Sequence, residues 1–256
     1  MKITRYKYPT PVSIAFLSDL HNSSFERVIA ETRKLRPDII AVTGDVISGH
    51  KVSADGKPLV SSQENVLPFL RGCTDIAPTF FSFGNHEWML SDVDVRLIKS
   101  TGVKILDNEY IDFLGISIGG LSSALRTKYR TLDIHDRYPE SDVRRSLVLN
   151  RNSFVPDTQW LDEFSKQPCF KLLLSHHPEY YSTYIADKNI DLVLSGHCHG
   201  GQIRLFGRGL FAPGQGILPK ITKGVYDKMI VSAGLSNTAQ PIPRLFNPTE
   251  IVYISK

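Results

Sequence analysis

Along the first hundred residues, short apolar runs alternate with amphipathic ones. Val12–Leu17, Asp38–Thr43 and Thr79–Phe83 are compact and rich in β-branched or aromatic residues, the pattern of buried strands. Between them, Phe25, Val28, Ile29 and Leu35 recur at helical spacing and stop before Pro37. Gln63–Leu70 reads as a short helix, and Ser91 stands where it would cap a helix running to Ser100, closed by Gly102. This rhythm predicts a largely parallel sheet. The texture then changes. Val103–Leu106, Tyr110–Phe113 and Ile116–Ile118 are short, close together and turn-separated, which predicts antiparallel pairing. Farther on, Thr158–Phe164 and Pro178–Ala186 read as helices. Phe170–Leu174, Asp191–Leu194, Gln202–Leu205, Met229–Val231 and Ile251–Ile254 read as strands. The expected architecture is α/β: a four-layer α/β/β/α sandwich of two mixed sheets flanked by helices, forming a single domain over residues 1–256.

Three segments interrupt that rhythm. His50–Ser62 is a polar, exposed loop. Ser122–Arg151 is a basic insertion carrying Arg126, Lys128, Arg130, Arg137, Arg144, Arg145 and Arg151. Leu205–Lys223 strings Phe206, Leu210, Phe211, Ile217 and Leu218 among glycines and prolines, a loop long enough to be either functional or disordered.

Chemistry gathers where the strands end. Asp19 and His21 follow the first run, Gly44-Asp45 the second, and Gly84-Asn85-His86-Glu87 the third. Ser175-His176-His177-Pro178 and Gly196-His197-Cys198-His199-Gly200-Gly201-Gln202 follow the two later ones. Residues two apart in extended chain share a side, so Asp19 with His21, and His197 with His199, can each grip one ion. A bend would instead split the second pair. Carboxylate, amide and imidazole donors without a thiolate majority exclude a structural zinc finger and suit Mn, Fe, Co or Zn. Seven donors exceed what one open catalytic ion needs and suit two ions sharing a carboxylate, an arrangement that clamps both oxygens of an in-line phosphoryl displacement. His50 and His135 read as ordinary surface residues.

The set D-x-H, GD, GNHE, SHxP and GHxHGGQ resembles the calcineurin-like metallophosphoesterases, from about Pro11 to the end of the chain. The GHxHGGQ ending looks most like a bacterial branch of membrane-associated phosphodiesterases that includes UDP-diacylglucosamine pyrophosphohydrolases. Gly234-Leu235-Ser236, Pro241-Ile242-Pro243-Arg244 and Asn247-Pro248 are similar to that branch's C-terminal signature. The resemblance implies that Asp19, His21 and His199 bind one ion, that Asp45 bridges, and that Asn85, His176 and His197 bind the other. It implies His86 as the group that protonates the leaving oxygen or binds phosphate, with Glu87 orienting it. His177 is the neighbour onto which the His176 assignment could slip. Two divalent ions, manganese favoured, would present a bridging hydroxide to the phosphorus of a diester or pyrophosphate.

The remaining sequence bounds the partners. A formal charge of +4 on 256 residues admits an anionic phosphorylated substrate but argues against nucleic acid. A nuclease or cyclic-nucleotide phosphodiesterase on the same centre is the nearest rival, and a non-catalytic scaffold a more distant one. Three cysteines, Cys73, Cys169 and Cys198, cannot close a disulfide framework and suit a reducing compartment. No apolar leader follows the basic N-terminal residues. The expectation is a cytoplasmic protein with peripheral membrane contact, acting on a small-molecule or lipid-linked substrate.

Overall fold

The computed structural model describes residues 1–48, 58–126, 155–237 and 242–256. In chain order the first half contains β1 (Lys2–Lys7), β2 (Ile14–Leu17), α1 (Glu26–Leu35), β3 (Ile39–Val42), α2 (Val66–Thr74), β4 (Thr79–Phe81), α3 (Asp92–Lys99), β5 (Lys104–Ile105), β6 (Glu109–Phe113) and β7 (Ile116–Leu121). The second half adds α4 (Leu161–Ser165), β8 (Phe170–Ser175), β9 (Leu192–Ser195), β10 (Arg204–Leu205), β11 (Arg208–Gly209), β12 (Phe211–Ala212), β13 (Gly216–Ile217), β14 (Gly224–Tyr226), β15 (Met229–Val231) and β16 (Glu250–Ser255).

Two six-stranded sheets result. The first has the order β1-β16-β2-β3-β4-β5, and the second β14-β15-β9-β8-β7-β6. In the first, β2 through β5 are mutually parallel and β16 enters antiparallel to β2. In the second, β7, β8, β9 and β15 are parallel, with antiparallel β6 and β14 at the edges.

Period-two alternation sorts the side chains into layers. Ile14 and Phe16 of β2 meet Leu172 and Leu174 of β8 and Leu192 and Leu194 of β9 in a core between the sheets. Ala15 and Leu17 point the other way, onto a core shared with Val28 and Leu35 of α1 and Phe69 and Leu70 of α2. Leu173, Val193 and Met229 turn outward onto Leu161 and Phe164 of α4. Three apolar layers between four structural ones make the α/β/β/α sandwich expected above. Local signals agree with it. Ser91 accepts from Asp94 N–H in a reciprocal capping box, and α1 ends at Arg36, left-handed at φ 48°, just before Pro37.

Several expectations need correction. Val103–Leu106 was expected to pair antiparallel with its neighbours, but β5 pairs parallel with β4 in the other sheet. It is two residues long, too short for pattern alone to choose a partner. Pro178–Ala186 forms only a single wide turn over Tyr181–Ile185. Gln202–Leu205 shrinks to β10, in a two-residue hairpin with β11. β1 went unread as a strand because its residues are mostly polar. It pairs parallel with β16 along its whole length. The basic insertion lies outside the described residues from 127 to 154, as do His50 and His135. Among the described residues no helix is long and apolar enough to cross a membrane.

Phe80 is fully buried between the sheets, edge-on to Phe113 at 5.3 Å. Phe80→Ala should lower the unfolding free energy by about 3–5 kcal/mol, as large-to-small core truncations do. Leu114→Ala, at an exposed turn, should change it by less than about 0.5 kcal/mol. Urea denaturation of both variants checks the layer assignment.

Candidate metal centre

Every motif picked out in the sequence leaves the C-terminal end of a parallel strand: Asp19 and His21 after β2, Asp45 after β3, Asn85-His86-Glu87 after β4, His176 after β8, and His197 and His199 after β9. These ends come together at one edge of the sandwich, the usual place for a site in a parallel sheet.

The turns that aim these side chains are sharply bent. Asp19, His21, Asp45, His197 and His199 all have positive φ, between 46° and 68°. That left-handed backbone is uncommon for residues other than glycine and costs free energy that the surroundings must supply. Much of the support comes from Glu87. It is fully buried, and its carboxylate accepts the backbone N–H of Gly84 and Asp45 at 2.8 Å each, Val46 at 2.8 Å and Ile47 at 3.3 Å. One side chain thus ties the β3 and β4 turns together. Gly44 and Gly84 allow the turns to touch. A Cβ on Gly44 would lie 2.2 Å from Gly84 N, and one on Gly84 2.3 Å from Asp45 Oδ1. Burial and the adjacent Asp45 charge push the Glu87 carboxyl up to about 7 despite the four amides.

Asp45 sits in the middle. Its Oδ2 lies 3.1 Å from His176 Nε2 and 3.8 Å from both His21 Nε2 and His86 Nε2, while Oδ1 accepts the His86 backbone N–H at 2.8 Å. Metal-ligating atoms group within 4.8 Å of one another as Asp19, His21 and His199 on one side and as Asp45, His176 and His197 on the other, with His21, Asp45 and His86 forming a further group between them. The bend at Cys198 therefore separates His197 from His199, and the simple pairing of those two on one side does not occur. Asn85 Oδ1 is 3.1 Å from His176 Nε2, which adds the amide oxygen to the second group. His177 turns away from Asp45, its Nε2 2.9 Å from Ser123 Oγ.

The donors fit divalent cations. His176 Nδ1 is 2.7 Å from Thr43 carbonyl oxygen, so that nitrogen carries the proton. Nε2 then faces two acceptor oxygens, Asn85 Oδ1 and Asp45 Oδ2, at 3.1 Å each. A lone pair against two oxygens is repulsive unless a cation lies between them. Asp19 Oδ2 and His21 Nε2 are buried with no hydrogen-bond partner, a costly state that a bound ion relieves. Protonation agrees. Burial lowers the His21 pKa to about 3 and pushes His197 and His199 well below the usual range, leaving the imidazoles neutral as ligation requires. Burial alone would raise Asp45, but the histidines around it hold it well below the carboxylate range. In the ion-free chain burial would also lower His176, yet the Asp45 charge and contact raise it to about 9, so a proton stands where a metal cation could.

Residues 12–201 match the Calcineurin-like phosphoesterase family. The chain belongs to that family. An uncharacterised metallophosphoesterase of Campylobacter jejuni is 29% identical over 244 residues, covering 93% of this chain and 55% of that protein. The Bacillus subtilis protein YpbG is 26% identical over 94% of this chain and 79% of its own length. The phosphodiesterase YaeI of Escherichia coli is 28% identical over 76% of this chain and 63% of its own. The chain thus spans little more than half the length of the Campylobacter relative. A solved structure of sulfate thiohydrolase SoxB from Thermus thermophilus aligns at TM-score 0.44 and 15% identity, covering 76% of this chain and 49% of that one. Membership of the family implies divalent metal ions.

Beyond the family match, the C-terminal signature forms the rear wall of this calcineurin-like centre. Leu235 N–H donates to Ser18 O at 2.9 Å, and Ser236 Oγ donates to Asp19 O at 2.9 Å. Asn247 Nδ2 donates to the carbonyls of His199 at 2.7 Å and Gln202 at 3.1 Å, both residues with positive φ. Arg244 gathers the carbonyls of Ser236 and Asn247. Sequence reading recognised these residues only as a signature. Their duty is toward backbone carbonyls, and no spacing rule announces it. Cys198 stands between the two histidines. It is buried and free, with its sulfur 3.3 Å from Gln215 Nε2.

The Asp45→Ala variant should lose both ions or keep one weakly, because both groups face that carboxylate. Asn247→Ala should loosen the His199 turn and weaken chiefly the ion on the Asp19 side. Elemental analysis combined with chelator competition distinguishes the two. A single tightly held ion in the parent, unaffected by Asp45→Ala, would sink the bridging role.

Proposed function

We propose that this chain is a dinuclear metal-dependent phosphoesterase that hydrolyses a phosphodiester or pyrophosphate bond. The observation that carries the reading is the pair of donor groups facing a shared Asp45. Asp19, His21 and His199 would hold one ion, and Asn85, His176 and His197 the other, with Asp45 between. Their nitrogen and oxygen donors suit manganese, iron, cobalt or zinc, and manganese is the first choice for loading. Bound there, two divalent ions supply a nucleophile at neutral pH and offset charge gathering on the phosphoryl oxygens.

The protein's own proton donor is His86. Its side chain is 12% exposed, against 3%, 0% and 4% for those of His21, His176 and His199. It is the imidazole of this group that opens toward an incoming substrate. Its ring lies 4.6 Å from that of His21, edge to face, and its backbone is pinned to Asp45. A proton on His86 can pass to the departing oxygen while the buried imidazoles serve as ligands. Glu87, by fixing the Asp45 and Gly84 backbone, sets the position of both.

The rim of the site favours a substrate bearing a lipid or another bulky apolar group. Phe206 is fully exposed, Ile217 is 81% and Leu218 70% exposed, and Phe246 joins them at 79%. The Arg204 N–H bond to Leu245 O, 3.0 Å, ties the two stretches together. Gly214, in the same loop, packs against His197, which brings the loop beside the centre. Phe211 belongs to the loop but is half-buried. From Gly200 to Tyr226 the chain carries Arg204, Arg208, Lys220 and Lys223 and no acidic residue, a bias suited to anionic headgroups.

Three experiments test these statements. The manganese-loaded chain should cleave generic diesters and lose that activity on chelation. His86→Ala should retain both ions and lose turnover by about 10²–10⁴, with a smaller loss on p-nitrophenyl esters, whose leaving group scarcely needs a proton. Equal losses on activated and unactivated esters would assign His86 to phosphate binding. Phe206→Ser with Phe246→Ser should spare a small soluble diester and selectively impair a lipid-linked one, together with liposome co-sedimentation. Equal activity on both substrates, with no liposome binding by the parent, would discard the lipid reading.

A further inference from the structure

A further group of ligating side chains shares His197 with the second ion's proposed position. His177, Glu179 and His197 bring atoms within 4.8 Å of one another, and the dinuclear reading uses only His197. His177 is engaged with Ser123 through Nε2. Glu179 differs. Its Oε1 is buried and accepts no hydrogen bond. An unsatisfied buried carboxylate oxygen is costly and calls for a donor.

Gly214 shows where that donor is. A Cβ built on Gly214 would lie 3.2 Å from Glu179 Oε1 and 3.4 Å from His197 Nε2. The two atoms therefore flank one small gap, which stays open because this position, at φ +77°, has no side chain. Gln215 anchors the loop there: its Nε2 donates to Ile221 O and reaches Cys198 Sγ, and its Oε1 accepts the Ile221 N–H. A neutral imidazole that gives one nitrogen's lone pair to a metal carries its proton on the other, and that N–H is normally held by a carboxylate or carbonyl.

We propose that Glu179 is the positioning carboxylate of His197. Across the gap left by Gly214 it takes the ring N–H at Nε2, directly or through one water, and so aims Nδ1 at the second ion. The inference rests on the assignment of His197 to that ion. It gives the Leu205–Lys223 loop a duty separate from its apolar rim: Gly214 and Gln215 keep Glu179 and His197 in register.

Stepwise metal uptake of the full chain, measured by chelator competition with manganese and with zinc, tests it. Glu179→Leu should weaken the second ion about 10–100-fold, the usual effect of removing such a partner, and leave the first unchanged. Glu179→Gln should lose less, because its amide oxygen still accepts. Gly214→Ala, which fills the gap at the cost of a strained left-handed backbone, should also weaken the second ion alone, and it decides the matter should Glu179→Leu fail to fold, with unchanged uptake of the first ion showing that the strain stays local. Unchanged second-ion affinity in every folded variant would overturn the proposal. So would equal weakening of both ions, which marks a general loss of structure. A third metal equivalent bound by the parent and lost in Glu179→Leu would also overturn it, making Glu179 a direct ligand. A parent that takes up a single ion would remove the dinuclear reading along with this one, whereas two ions with unshifted variants would remove this inference alone.

Discussion

Everything at the sheet edge depends on one buried carboxylate that is not itself a candidate ligand. Glu87 collects four backbone amides from the turns after β3 and β4 and closes the distance between them. Without that clamp, Asp45 would have no reason to stay in a left-handed turn, and the Asp45 side chain is the point on which both donor groups converge. The energetics favour such an arrangement. Hydrogen bonds from amides to a carboxylate are among the stronger ones in proteins, and they offset part of the cost of burying Glu87 and of the strain of its neighbours.

The rest of the centre is assembled by subtraction. Glycines at 44 and 84 remove side chains where two turns must touch. Burial strips protons from His21, His197 and His199, and the surrounding imidazoles keep one from Asp45. The protein thereby presents lone pairs and negative charge in a space that water reaches poorly. That combination is unstable alone and favourable only around cations, which explains why an ion-free chain would hold a proton on His176.

The layered architecture was largely legible in the sequence because its strands are buried on both faces and its ligands follow the strand ends directly. Met229–Val231 has the boundaries that its apolar run suggested, and Ile39–Val42 falls within the expected Asp38–Thr43. The seven candidate ligands were legible for the same reason: a strand end fixes the direction of the residues that follow it. What pattern could not supply was partnership over distance. β5 is too short to declare its sheet, and β1 is too polar to look like a strand until β16 is seen beside it. Asn247, Arg244 and Glu179 escaped a functional reading because they act on backbone carbonyls or on another side chain's spare nitrogen, and neither duty leaves a periodic trace. The segment Tyr181–Ile185, rich in aromatic and β-branched residues, makes only a single wide turn.

The reach of the C-terminal wall has a consequence for how the centre comes into being. Asp19 accepts the His197 N–H, and its own carbonyl is held by Ser236, 217 positions farther along. Contacts of such separation must first overcome the entropy of closing a loop nearly as long as the domain, so they form late. The donor groups therefore do not exist as local motifs that could trap an ion on a growing chain. They become a site only when both sheets and the strand that returns beside β2 are in place, and metal uptake reports completion of the fold rather than its beginning.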